Sequence, residues 1–294
     1  MIYVNHNVIV NKCRIYLITR IEKLKEYDIC VTYMKKLFLR TSLFTLILLL
    51  FLVNSANNVI SISGENSNNA AFVNNNNNNN TNLDISNLVY DIDSNPFNVS
   101  YADWTEKWWQ WTYSIPWDKN PSYDDTGKYC SENQSGPVWF LTLAYEHPVI
   151  RTCEIPENTA LLITLLNSEC SYAEFPLLKT EDELRECAKH MQDLVVGVNA
   201  SLNQVHVPNL ENYRVQTDIF NFTLPENNIL NLTSQTTHAV ADGNWLFLKP
   251  LPAGIHELKV KGDINATSTI MIKGNEYNGP VGWNYTTTYI LNVK

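Results

Sequence analysis

The chain has 294 residues, 45% of them hydrophobic, with a formal net charge of −9 at pH 7. That length suits one large domain or two small ones. Residues 1–56 hold eight of the 21 Lys and Arg but only three of the 30 Asp and Glu, so the remainder carries 13 basic and 27 acidic residues, a net of −14. Phosphate binding needs clustered cations, so this balance argues against a nucleic-acid partner. It suits solubility outside the cell.

From the N-terminus, the first signal is Met34-Lys-Lys-Leu-Phe-Leu-Arg40, a basic stretch that runs into the apolar segment Ser42–Val53. That segment, 12 residues long, falls short of the roughly 20 that a bilayer span needs. A basic start, a short apolar centre and then Asn54-Ser55-Ala56 describe a signal peptide over residues 34–56. It is read as cleaved, with an uncleaved signal anchor as the alternative; Lys35, Lys36 and Arg40 hold its start in the cytoplasm either way. Contact with a membrane is expected only through this segment. Residues 1–33 are expected to be a mis-assigned start, or else a short cytoplasmic tail. Residues 57–82 include seven consecutive asparagines, Asn74–Asn80. Such a polar tract cannot offset its ordering entropy, so a disordered tether is expected. A single globular domain should occupy residues 83–294.

Within that domain two helices are signalled. Ser100 is a good N-cap for the run Tyr101–Ile115, with Asp103 and Glu106 near its positive end and Pro116 as its stop. Trp104, Trp108, Trp111 and Ile115 fall on one face. Thr180-Glu-Asp-Glu183 forms a capping box for a second helix, whose stripe is Leu184, Cys187, Met191 and Leu194, with Gly197 after its end. The rest reads as strands: 138–143, 160–166, 204–207, 213–224, 245–248, 255–260, 267–272 and 285–293. Asp242-Gly243, Pro252-Ala-Gly254, Lys261-Gly-Asp263 and Lys273-Gly-Asn275 read as turns between the later strands. Together these predict a mainly β fold: an antiparallel sandwich or jelly-roll-like domain with two helices packed against it.

Cys13 and Cys30 precede the signal. Cys130, Cys153, Cys170 and Cys187 follow it, and an even number in an oxidising compartment reads as disulfides. Spacing alone does not choose among the three connectivities. Zinc would want close Cys/His pairs, and none occurs. Eight N-x-S/T sequons (Asn79, Asn98, Asn133, Asn199, Asn221, Asn231, Asn265 and Asn284) are candidate glycosylation sites, which requires them to lie on the surface.

Several motifs taken together resemble a family of uncharacterised secreted prokaryotic proteins. The N-terminal block is Trp108-Trp-Gln-Trp111, Asn120-Pro121, Asp125-Thr-Gly127, Cys130, Gln134, Gly136-Pro-Val-Trp-Phe-Leu141 and Arg151-Thr-Cys-Glu-Ile-Pro156. The C-terminal block is Ala241-Asp-Gly-Asn-Trp-Leu-Phe-Leu-Lys-Pro-Leu-Pro-Ala-Gly-Ile-His256 with Tyr289-Ile-Leu-Asn-Val-Lys294. The blocks span about residues 100–294 and bring no activity with them. Because Cys130 and Cys153 share a block, the resemblance implies a Cys130–Cys153 bridge and leaves Cys170–Cys187 as the second.

Chemistry is sparsely signalled, and no cofactor motif occurs. Trp109 and Tyr113 project away from the helix stripe. They either pack under another element or, with Trp117 beyond Pro116, offer an aromatic platform to a sugar or a protein; packing is favoured. Arg151 is a candidate clamp for a ligand carboxylate, or a structural partner of Glu132, Glu154 or Glu169. Asp118, Asp124, Asp125 and Glu132 share a loop region; Asp124 and Asp125 are weak calcium candidates, with turn chemistry preferred. The histidines show no metal spacing, and no hydrolase signature is present. The leading expectation is a non-catalytic exported or surface domain that binds carbohydrate, envelope polymer or protein. A structural envelope protein is the second reading. A secreted hydrolase, with carboxylates or a histidine in a cleft between sheet and tryptophan helix, is the third.

Overall fold

The computed structural model describes residues 85–144, 147–264, 269–272, 275–278 and 284–294, with main chain only for 269–272, 275–278 and 284. The signal segment, the asparagine tract and the sequons Asn79 and Asn265 lie outside the described residues. Helix α1 covers Ile85–Leu88, α2 covers Tyr101–Ser114 and α3 covers Glu181–Gln192. The strands are β1 Val138–Leu141, β2 Val149–Ile155, β3 Ala160–Ser171, β4 Val195–Leu202, β5 Val205–His206 and β6 Arg214–Gln216. They continue with β7 Phe220–Leu224, β8 Gln235–Leu248, β9 Gly254–Ile264, β10 Thr269–Ile272, β11 Asn275–Asn278 and β12 Asn284–Val293.

Two five-stranded sheets make a β-sandwich. The first runs β1-β3-β8-β6, with β7 also on β8; the second runs β2-β12-β9-β4-β5. Most pairs are antiparallel, but β1 joins β3 and β12 joins β2 in parallel. Strands β10 and β11 form a separate hairpin.

Period-two alternation sorts the side chains of the first sheet. Leu161, Ile163, Leu246 and Leu248 face the second sheet, where Leu258, Val260, Tyr289 and Leu291 meet them. Leu162, Trp245 and Phe247 point the other way, onto α2. Val240 shares its parity with Leu246 and packs with Cys170, Leu184 and Cys187, so α3 covers the sandwich-side face of the first sheet.

Both long helices start as their caps dictate. Ser100 Oγ accepts from the Asp103 N–H at 3.1 Å. At Thr180 both halves of the capping box form. The expected stripe of α2 is buried throughout, as are Trp109 and Tyr113. Helix α3 ends before Gly197, which lies instead in β4 where its pairing with β9 shifts register.

Several strand and turn expectations need correction. Strands β2 and β4 were not signalled. The run 213–224 is two strands, β6 and β7, both paired with β8. Asp242-Gly243 and Lys261-Gly-Asp263 are not turns; they lie inside β8 and β9. Their glycines mark close backbone approach. A Cβ on Gly243 would stand 2.5 Å from Asn167 Cβ, and one on Gly262 would stand 2.4 Å from Leu166 Cγ. Gly262 presses on the β3 bulge between Thr164 and Leu166, and Gly243 on Asn167 just past it. The Pro252-Ala-Gly254 turn does separate β8 from β9, while the Lys273-Gly274 turn falls outside the described residues.

The cysteines pair as Cys130–Cys153 and Cys170–Cys187, the connectivity that the family resemblance implied. Two bridges of this kind fit an oxidising compartment. No helix among the described residues is long and apolar enough to cross a membrane. Asn98, Asn133, Asn199, Asn221 and Asn231 are all exposed. Three of them, at Asn98, Asn133 and Asn231, adopt positive φ, a conformation that asparagine tolerates in turns better than most residues.

Candidate functional site

The β3 bulge builds a cavity. An extra residue on one strand turns neighbouring side chains out of strict alternation, and here Leu165 and Leu166 both enter the core between the sheets. The polar continuation Asn167-Ser168-Glu169 then lies against the end of α2 and the side of α3. The resulting cavity holds about 260 Å³, just below the usual range for small-molecule sites. Its polar wall carries Thr164, Asn167, Glu169 and Glu174, and its apolar wall includes Trp109 and Met191. Ile264 and Tyr285, at either end of the segment that carries the β10–β11 hairpin, also line it.

Glu169 is 5% exposed. Its Oε1 accepts a 2.8 Å hydrogen bond from the Tyr113 hydroxyl. Nearby, Glu174 Oε2 accepts from Ser171 Oγ at 2.8 Å. Burial holds the Glu169 carboxyl well above the usual carboxylate range, and the adjacent Glu174 charge pushes the same way, against the Tyr113 hydrogen bond. A neutral Glu169 escapes both the cost of burying its charge and the repulsion from Glu174. Its Oε2 has no partner among the described residues.

Three more cavity residues carry buried polar atoms without partners among the described residues: Trp109 Nε1, Thr164 Oγ1 and Asn167 Nδ2. The contrast within α2 is sharp. Trp104, Trp108 and Trp111 donate their indole N–H groups to the carbonyls of Pro96, Leu141 and Glu132. Only Trp109, the indole of this helix that walls the cavity, lacks such an acceptor. Each unpaired buried group costs about 1–3 kcal/mol, so a cluster of four around one cavity marks a place where a polar ligand would restore what folding gave up.

Compared with known protein families, curated proteins and solved structures, the chain matches none. The site therefore has to be read from its own chemistry. It holds donors (Trp109, Asn167), a hydroxyl (Thr164) and a carboxyl pair, above an apolar floor. A ligand that both donates and accepts at closely spaced atoms fits this mixture, and a hydroxyl group does both. A bare cation does not fit, because the indole and amide N–H groups would oppose it. Among the described residues no group of three His, Cys, Asp or Glu could hold a metal.

A wider groove of about 470 Å³ lies beside the Cys130–Cys153 bridge. Its charges are already engaged: Lys294 pairs with Glu154 at 2.6 Å, and Lys128 stands over the Tyr129 ring. The smaller cavity, with its buried carboxyl and clustered orphans, is the better site.

The residues singled out from sequence separate in space. Trp109 and Tyr113 are 3% and 4% exposed, so they form no surface platform, yet both line the acidic cavity. Trp117 is 49% exposed. Arg151 is fully buried and pairs with no glutamate. It donates to the carbonyls of Asp124, Thr142 and Ser122, and to the hydroxyls of Thr142 and Tyr289. That makes it a structural pin and no ligand clamp. Asp124 accepts from the N–H groups of Thr126 and Tyr129 and from the Thr126 hydroxyl, which is turn chemistry. Burial pushes its carboxyl up, but these hydrogen bonds and nearby Arg151 outweigh that and hold it below the usual range. Asp125 pairs with His147 at the surface.

Sequence reasoning missed Thr164, Asn167 and Glu174, and met Glu169 only as a partner for Arg151. One signal was available: the apolar run Ala160–Leu166 passes into Asn-Ser-Glu before Cys170, with no Gly or Pro between. A strand that continues through such a stretch carries its carboxylate into the fold.

Proposed function

We propose that this is an exported binding domain whose acidic cavity takes one small polyhydroxylated unit, such as a terminal sugar. The observation that carries this reading is the set of four orphaned polar atoms on Trp109, Thr164, Asn167 and Glu169 around one cavity. The apolar floor, the tryptophan and the hydroxyl-compatible carboxyl pair agree with it. Export rests on the signal-like segment and the two disulfides, and glycosylation on the exposed sequons. The likeness to a secreted family rests on the quoted motifs. The test is titration of the protein with monosaccharides, followed through the indole N–H resonance of Trp109. A saturable shift in the wild type, lost in Glu169→Gln, supports the reading; an unmoved resonance across glucose, mannose and N-acetylglucosamine removes it.

A second reading, a hydrolase, is favoured by Glu169 and Glu174 lining one cavity. Two carboxyls whose proton affinities are pushed apart can act as acid and base on a bound water. Release of reducing ends from a saccharide, abolished in both Glu169→Gln and Glu174→Gln, would move the assignment there.

A further inference from the structure

Past the end of α2 lies an exposed aromatic pair. Trp117 and Tyr123 are 49% and 37% exposed, and their rings meet at 6.0 Å with a 48° tilt. Large aromatics are normally spent on buried area. Phe97, also exposed, leans on Tyr90 and Trp104, and the other large exposed apolar residues among the described residues are aliphatic.

The loop that presents this pair is held firmly. The Trp117 N–H donates to the Asn227 carbonyl at 2.7 Å. Asn120, between the two rings in sequence, is buried; its amide donates to the Thr112 and Ile115 carbonyls and its oxygen accepts from the Ser122 N–H. The rings are therefore placed before any ligand arrives, which lowers the entropy cost of binding.

The loop that carries the pair is tied to the end of α2 where the cavity begins: the Asn120 amide donates to the Thr112 carbonyl at 2.7 Å and to the Ile115 carbonyl at 3.2 Å, and Tyr113, between those two residues, lines the cavity. At about 260 Å³ the cavity admits one sugar-sized unit, so a longer ligand must continue outside it.

We propose that Trp117 and Tyr123 form a second, exposed subsite, so that the ligand is a neutral oligosaccharide whose terminal unit enters the acidic cavity and whose next units lie on these two rings. This rests on the cavity being a sugar site. The flat apolar face of a pyranose ring matches an exposed aromatic ring.

The test compares glucose, mannose and N-acetylglucosamine with their linear tetrasaccharides, titrated calorimetrically into the protein made in an oxidising compartment. One tetrasaccharide should bind about tenfold more tightly than its own monosaccharide, the scale of one well-placed aromatic contact. Trp117→Ala, and independently Tyr123→Ala, should bring that ratio close to one. Equal affinity for both lengths in the wild type, or a ratio unchanged in both variants, overturns the second subsite while the cavity reading stands. Failure of either length to bind overturns both.

Discussion

The Tyr113 hydroxyl donates a 2.8 Å hydrogen bond to Oε1 of Glu169, joining the last turn of α2 to the bulged strand β3. The bond links residues 56 positions apart and sets one wall of the cavity. It also explains why Tyr113, which points off the tryptophan stripe, is buried. Its ring packs on Trp109 and Phe222 while its hydroxyl serves the carboxyl.

Glu169 should make stability depend on pH. Its folded carboxyl lies above its ordinary value of 4.5, so in the intervening range the native state binds more protons than the unfolded state. Stability is then fully present below about 4.5 and declines as pH rises through the folded value. Chemical denaturation of wild type and Glu169→Gln between pH 4 and pH 8 isolates the effect. The wild-type curve should fall relative to that of the variant as pH rises; parallel curves would show that Glu169 titrates normally.

Gly262→Ala should destabilise the fold by about 1–3 kcal/mol through overpacking. The new methyl would stand 2.4 Å from Leu166 Cγ and 2.6 Å from the Leu165 carbonyl oxygen, so the bulge itself would have to move. Gly254→Ala provides a contrast of another kind. There the new methyl meets nothing within 4 Å, but the φ of +137° strains the backbone instead. Urea midpoints for Gly262→Ala should drop together with a displaced Trp109 indole resonance. In Gly254→Ala that resonance should stay in place.

Arg151→Met should cost about 3 kcal/mol or more, because it leaves buried carbonyls of Ser122 and Asp124 without this donor. Arg151→Lys should recover only part of the loss, since an ammonium cannot reach all the acceptors of a planar guanidinium. Equal stability of the wild type and Arg151→Lys by denaturant titration would show that the fork geometry is unimportant.

Removing either disulfide as a Cys→Ser pair should cost about 3 kcal/mol through the freed unfolded chain. The two losses should differ locally. Cys170 follows Glu169 directly, and Cys187 lies one helical turn before Met191, so the pair Cys170→Ser and Cys187→Ser should shift the Trp109 indole resonance. Removing Cys130–Cys153, which borders the other groove, should leave that resonance in place.

What the sequence by itself determined were the locally encoded features. The start of α2 at Ser100 and the capping box at Thr180 are written within four residues of chain. Strands β1, β3 and β12 begin within a residue of their apolar or alternating runs. Asp124 makes its turn with its immediate neighbours. These could be read because the interacting groups are adjacent, so local propensity and tertiary structure agree.

Only the tertiary structure decided the rest. Gly243 and Gly262 look like turn residues to any local rule, yet each lies mid-strand because a distant strand approaches too closely for a Cβ. Arg151 found carbonyls instead of carboxylates because the loop at residues 122–124 folds over β2. The cavity itself joins residues from α2, β3, α3, β9 and β12. The acidity of Glu169 is set by the burial those five elements impose together, and desolvation is a property of the assembled fold that no short window of sequence contains.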